Sequence, residues 1–286
     1  MIHVGTRGSA LALAQARIVA SGIGEDAELV VISTAGDRSA RPIRELGDGA
    51  FVAALEDALR RGDVDVAVHS LKDVPTAETD DLVIAAIPKR EDPRDVIVTA
   101  SMGGLASLPR RALVGTSSPR RAAFLLAVRP DVRLAEIRGN IDTRLRRVQA
   151  GEFDGTILAL AGLRRLGLPF GDHEVLPTDV MLPAPGQGAL AVQCRADAHA
   201  LRERLHALDD RATRGAVTAE RALLRELGAS CELALGALAT VENELITLDA
   251  ALAADGSIAR FRGTGSDPLE LAHRAAGALA RVAHAR

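Results

Sequence analysis

Four short segments of this chain set hydroxyl or glycine residues beside arginine: Thr6-Arg7-Gly8-Ser9, Thr116-Ser117-Ser118-Pro119-Arg120-Arg121, Arg138-Gly139-Asn140 through Arg144, and Ala161-Gly162-Leu163-Arg164-Arg165. A guanidinium is a flat fork that grips carboxylates in bidentate fashion. Serine and threonine hydroxyls add donors. Where such residues open a helix, unpaired N–H groups and partial positive charge join them. One such segment says little, because N-caps are everywhere. Four in one chain point to a cleft for a ligand with several carboxylates.

The stretch Val66–Pro75 (VAVHSLKDVP) places His69, Ser70, Lys72 and Asp73 at the end of a strand-like run. An aspartate beside Lys and Arg stays ionised and can stabilise a cation; desolvated by substrate, it can pass protons. The plainer reading is a surface salt bridge for Lys72 and a satisfied core imidazole for His69. Cys231 follows Gly228-Ala229-Ser230, between a helical run and a strand. A thiol on a loop is a nucleophile, an attachment point or a buried structural residue. Cys194 lies in an alternating strand and reads as core. The GxGxxA string Gly186–Ala191 is not a dinucleotide fingerprint, since prolines precede it and a strand follows. It reads as a tight loop at a domain crossing.

The elements that must hold these residues alternate. Strands are expected at Ile2–Thr6, Glu28–Thr34, Val64–Val68 and Leu82–Ile87, with helices at Ala10–Ala20 and Gly49–Arg60. This order implies a mainly parallel sheet with helices on its faces. The polar, proline-bearing Pro88–Pro93 reads as a domain crossing. The pattern then restarts: strands at Asp95–Thr99, Ala112–Gly115, Arg133–Ile137 and Thr156–Leu160, and helices at Ser118–Val128 and Thr143–Ala150. A second crossing is expected near Leu182–Pro185, and Gly188–Cys194 as a strand returning to the first sheet. Two helices follow, Asp197–Leu208 and Arg211–Leu227. Then Leu233–Val241, Leu245–Ala253 and Ile258–Gly263 read as three strands joined by tight turns, an antiparallel sheet, and a last helix starts at Asp267-Pro268. The implied domains are 1–88 with 186–200, 93–182, and 205–286, the last a smaller α+β unit.

The bulk numbers narrow the class. The 286 residues suffice for two or three domains. With 48% hydrophobic residues, 2% aromatics and no Trp or Tyr, the cores must be built from Leu, Val and Ala. The net charge of -3 argues against general nucleic-acid binding, yet Arg110–Arg147 holds ten Arg against three acids, 10 − 3 = +7. That contrast suits a small polyanion. Neither CxxC nor HExxH occurs, so no metal site is expected. No apolar run approaches a membrane span. The segment Ala10–Ala16 is too short for a signal core and holds Gln15, so the cytoplasm is the expected compartment.

Eight strings in order, TRGSALALAQA from Thr6, AVHSLKDVP from Ala67, KREDPRDV from Lys89, GTSSPRR from Gly115, RGNIDTRL from Arg138, ILALAGLRRLGL from Ile157, PGQGALAVQCR from Pro185 and TAERALL from Thr218, closely resemble the hydroxymethylbilane synthase (porphobilinogen deaminase) family and span nearly the whole chain. The resemblance implies two domains like type II periplasmic binding proteins, an active site in their cleft, and a monomer acting on porphobilinogen. It implies head-to-tail joining of four porphobilinogen molecules with loss of four ammonia, then hydrolytic release of a linear tetrapyrrole. It further implies a dipyrromethane cofactor held by a thioether to Cys231. Asp73 matches the catalytic carboxylate, with Arg7, Arg138 and Arg144 assisting. Ser70, Lys72, Thr116, Ser117, Ser118, Arg120, Arg121, Arg138 and Gly139 match cofactor contacts. Arg7, Ser9, Phe51, Arg165 and Gln187 match substrate contacts. The chain departs from the pattern at Asp48, where many members have Lys, at Pro119, and around the cysteine at Ser230, Glu232 and Ala234.

Overall fold

The computed structural model describes residues 1–33, 52–77, 79–101, 103–168, 173–228, 233–254 and 256–284. The expected starts of the second helix (Gly49–Phe51), Asp48, Ser230, Cys231 and Glu232 lie outside the described residues. In chain order the first part runs β1 (Ile2–Thr6), α1 (Ala10–Ile23), β2 (Ala27–Val31), α2 (Ala53–Arg61), β3 (Val66–Ser70) and β4 (Leu82–Ala86). The second runs β5 (Asp95–Thr99), β6 (Leu113–Gly115), α3 (Pro119–Val128), β7 (Arg133–Ala135), α4 (Ile141–Gln149), β8 (Gly155–Ala159), α5 (Leu160–Arg165) and β9 (Glu174–Val175). The chain continues through β10 (Leu190–Arg195), α6 (His199–His206), α7 (Arg211–Glu226), β11 (Leu235–Glu242), β12 (Leu245–Ala254), β13 (Ser257–Gly265) and α8 (Pro268–His284).

Two five-stranded sheets share one plan. Their orders are β2-β1-β3-β10-β4 and β7-β6-β8-β5-β9. In each, four strands run one way and the strand next to one edge is reversed: β10 is antiparallel to both β3 and β4, and β5 to both β8 and β9. The reversed strand is the one that arrives from the other sheet. The sheets are therefore mixed and mostly parallel, with two crossings between them. The C-terminal sheet, β11-β12-β13, is wholly antiparallel.

Aliphatic side chains fill most of the interior, with Phe124 and Phe153 the buried aromatics among the described residues. Val4, Val66, Val68, Val192 and Cys194 pack under Ala16 and Val19 of α1; Cys194 is core, as its alternation implied. In the third unit Leu271, Ala275 and Leu279, spaced by four, present one face of α8 to the sheet, and Ala216, Ala219 and Leu223 do the same for α7. The opposite face of that sheet, with Leu238, Ala251 and Ala253, packs on Phe124 and Leu182 of the second unit. Expected element ends shift by a few residues. The fourth helix begins at Ile141 rather than Thr143, because Asn140 is already its N-cap. The two-residue β9 had no legible periodicity.

Both crossings meet at a buried ion pair. Glu220 of α7 is fully buried and accepts two bonds from Arg90, at 2.6 and 3.1 Å, one from Gly186 N at 2.7 Å and one from Ala239 N at 2.8 Å. Arg90 also donates to the Gln187 carbonyl at 2.7 Å. The turn between the crossings and β10 uses left-handed glycines, Gly186 at φ 73° and Gly188 at φ 86°, which makes the GxGxxA string the tight loop expected of it.

Candidate active site

A cleft lies between the two five-stranded sheets, with about 1290 Å³ of open space including its mouth. β1 leads to it through Thr6, which is buried and donates to the Ala12 carbonyl at 3.0 Å. Ser9 caps α1 by accepting from Ala12 N at 3.3 Å. This junction brings Arg7 and Ser9 to the cleft wall. β3 ends at Ser70 and continues as one tight turn, Leu71–Asp73. Leu71 is fully buried and its N–H donates to Ala189 O at 3.0 Å, so Lys72 and Asp73 are turned outward into the cleft. Arg221 of α7 braces the same turn by donating to the carbonyls of Val74 and Pro75, at 2.8 Å each.

The opposite wall carries Arg121, Gly139, Arg144 and Arg165. Ser118 caps α3, accepting from Arg121 N at 3.3 Å, with Pro119 in the first turn, as the sequence implied. Arg144 donates to Gly139 O at 2.8 Å and Arg165 to Gly188 O at 2.6 Å. Burial pushes both guanidinium groups down to about 10; Arg121 adds to this at Arg144, and Glu91 opposes it at Arg165. Both remain cations at neutral pH.

Other expected ligand contacts are engaged with protein. Arg120 is buried and donates to Asp95 Oδ2 at 2.7 Å and to Leu182 O at 2.6 Å. Arg121 donates to Asp95 Oδ1 at 2.8 Å and to Ile157 O at 2.8 Å. Burial alone would raise Asp95, but the two guanidinium groups outweigh it and hold the carboxyl at about 2. Ser117 donates to Ile137 O at 2.7 Å, and Thr116 Oγ1 accepts from Ser118 N at 3.2 Å. Arg138 faces Glu136, at 2.9 and 3.0 Å. Gln187 is buried between Lys72, Pro93 and Asp95. Thr116, Ser117, Ser118, Arg120, Arg138 and Gln187 thus shape the cleft from behind or beside it. Phe51 and Cys231 lie outside the described residues.

Asp73 makes no hydrogen bond to another described residue. The crowding of protein around it raises its pKa, against the pull of Lys72 and Arg7. The same crowding and the nearby Arg121 push Lys72 down to about 8, opposed by Asp73 and Asp95. Both side chains remain open to water through the cleft. Water in the open cleft softens both shifts, and a ligand that displaces it strengthens them. Sequence reasoning missed Gln15, which exchanges hydrogen bonds with Ser70 at 2.8 and 3.2 Å and fixes α1 against β3. Its only sequence signal was its place in the first matching string.

A dipyrromethane with several carboxylates and two pyrrole N–H groups fits this surface. Arg121 Nε is buried at the cleft wall with no acceptor among the described residues, and a buried N–H calls for an acceptor, which a carboxylate supplies. Arg7, Lys72, Arg144 and Arg165 would hold further carboxylates, and Asp73 would accept pyrrole N–H groups.

The fold and site define a two-lobed α/β protein with an arginine-lined cleft for a polycarboxylate and a third, C-terminal unit braced against the cleft floor. Residues 2–203 match the family model for porphobilinogen deaminase, dipyromethane cofactor binding domain, and residues 215–281 match the porphobilinogen deaminase C-terminal domain. The chain is 49% identical over 295 residues to the porphobilinogen deaminase of Acidothermus cellulolyticus, covering 99% of this chain and 89% of that one. It is 48% identical over 293 residues to that of Nocardia farcinica, covering 98% and 84%. Among solved structures, the periplasmic VFT2 domain of Bordetella pertussis BvgS aligns with 72% of this chain and 86% of its own at 15% identity and a TM-score of 0.41. The chain belongs to the porphobilinogen deaminase family, the hydroxymethylbilane synthases of porphyrin biosynthesis, and is a transferase with a dipyrromethane cofactor. No helix among the described residues is long and apolar enough to cross a membrane.

Proposed function

We propose that Asp73 is the catalytic carboxylate of hydroxymethylbilane synthesis here, with the primer attached to Cys231 and the enzyme acting as a cytoplasmic monomer. The observation that carries this reading is Asp73 itself: a carboxylate without a hydrogen-bond partner among the described residues, in a cleft ringed by Arg7, Lys72, Arg121, Arg144 and Arg165. When bound, the dipyrromethane supplies a tether and a nucleophilic pyrrole carbon. The guanidinium groups bind acetate and propionate groups and orient the incoming porphobilinogen. Loss of ammonia leaves positive charge on the substrate pyrrole. Asp73, fixed by the buried Leu71, stabilises that charge without reorganisation at the moment it forms. Lys72 and Arg7 oppose the burial that raises the Asp73 carboxyl. Arg7 and Arg144 assist departure of the amine. Arg138 joins them by exchanging Glu136 for a substrate carboxylate. Thr116, Ser117, Ser118, Arg120, Gly139 and Gln187 support the cofactor wall, and Ser9, Phe51 and Arg165 the substrate side. The division into 1–88 with 186–200, 93–182 and 205–286 is supported by β10 joining the first sheet.

The test is Asp73→Asn. Intact mass should show the primer still attached while kcat falls by about a thousandfold, the size of loss seen when one pre-positioned electrostatic group is removed. Wild-type turnover in a primer-loaded variant would end this role.

A further inference from the structure

The cleft is rich in donors and poor in acceptors. Among its described lining residues the only carboxylates are Asp73 and Asp142. Porphobilinogen brings donors as well, an aminomethyl group and a pyrrole N–H, and these need acceptors.

His69 lines the same cleft and is otherwise buried. Its Nε2 lies 2.9 Å from Oε1 of Gln193. Gln193 Nε2 donates to Oε1 of Glu56 at 3.0 Å. An ionised carboxylate only accepts, so Glu56 must face the amide NH2, and the amide oxygen must face His69. That oxygen also only accepts, so the imidazole proton sits on Nε2. In the neutral ring Nδ1 then keeps its lone pair. The three residues stand on β3, β10 and α2, and β10 pairs with β3 beside them, Ala191 opposite His69 and Gln193 opposite Ala67. The tautomer is therefore fixed by the sheet. The charged groups nearby are Arg7 from the β1–α1 junction, Lys72 and Asp73 from the turn after β3, and Glu56 through Gln193. Burial and Arg7 push the imidazole down to about 4 against the Gln193 hydrogen bond, so the ring is uncharged at neutral pH.

We propose that His69 is a substrate-binding acceptor whose Nδ1 receives an N–H of the aminomethyl group of porphobilinogen. This rests on the reading of the cleft as the porphobilinogen site. A protonated ring would put a donor and a positive charge against the substrate ammonium. A neutral ring holds it by one hydrogen bond and leaves its proton in place. The carbon–nitrogen bond then breaks with its electron pair on nitrogen, ammonia departs neutral, and the positive charge stays on the pyrrole beside Asp73.

Nitrogen NMR of the holoenzyme labelled at histidine tests this, with His69 assigned by difference against His69→Phe. At pH 7 His69 should show a protonated Nε2 and a bare Nδ1, and Nδ1 should shift when porphobilinogen is added. His69→Phe should raise KM about tenfold with a smaller effect on kcat. His69→Asn, which keeps an acceptor near the Nδ1 position, should recover most of that loss. A charged ring or a protonated Nδ1 at pH 7 would overturn the proposal, as would an unchanged KM in folded, primer-loaded His69→Phe. If His69→Phe does not fold, His69→Asn supplies the difference assignment, and the wild-type tautomer and its response to substrate decide. Wild-type protein without primer or turnover would sink the reading of the cleft, whatever the tautomer.

Discussion

Lys72 donates from Nζ to Oε1 of Gln187 at 3.3 Å, so the ammonium beside Asp73 rests on the segment that returns from the second sheet. The other end of the Gln187 amide donates to Pro93 O at 2.7 Å and to Asp95 Oδ1 at 3.0 Å. Both of those oxygens only accept, which fixes the amide orientation. One buried side chain thereby joins the turn that carries Asp73, the outgoing crossing and the ion-paired start of β5.

Gln187→Leu keeps the volume and removes all three bonds. Lys72 loses its acceptor, and the half-buried Pro93 carbonyl and the buried Asp95 each lose a donor, at a cost of about 2 kcal/mol. Chemical denaturation of the holoenzyme should show that loss, with reduced turnover. A change in stability below about 0.5 kcal/mol would mean these bonds do not hold the crossing.

Asp95 sets an acid limit on stability. Its folded pKa, about 2, lies below the ordinary 3.8, so the unfolded chain binds the proton more readily. The stabilisation is complete above about pH 4 and is lost as pH falls through about 2. Asp95→Asn should be less stable at neutral pH, since Arg120 and Arg121 lose their buried counter-ion. It should also lack this part of the acid slope. Denaturation midpoints between pH 5 and 2 measure both effects. An unchanged slope in the variant would contradict the assignment.

The strand–helix alternation, the two crossings and the antiparallel third sheet were legible because Val, Ile and Leu recur at strand and helix spacing. The cleft was legible in part, because Arg7, Ser70, Lys72 and Asp73 sit where strands end, and Arg144 and Arg165 lie in the short helices that follow such ends. The distinction between an arginine that faces a ligand and one that faces Asp95 was not. Arg120 and Arg121 are adjacent in one helical turn, and both are enclosed against Asp95 only because β5 arrives from another part of the chain. The hub at Glu220 was equally silent, since a glutamate inside an amphipathic helix reads as solvated until Arg90 and Gly186 are brought to it. The relay from Glu56 through Gln193 to His69 depends on strand register, which one-dimensional spacing does not contain.

Gly188 allows the return crossing. Its φ is 86°, and an added Cβ would lie 2.5 Å from the Glu91 carbonyl oxygen. Gly188→Ala therefore combines left-handed strain with a clash against backbone, together about 3 kcal/mol. Thermal unfolding should show a clearly lowered midpoint. A variant as stable as wild type would mean the loop relaxes without resistance.

A chain that carries its own primer on Cys231 must show it in its mass. The direct measurement is the intact mass of freshly purified protein, compared with the bare chain and with Cys231→Ser. The wild-type protein should exceed its chain mass by two condensed porphobilinogen units, and Cys231→Ser should show the bare chain alone. A wild-type mass equal to the chain, or a Cys231→Ser protein that still bears the added mass, would contradict it.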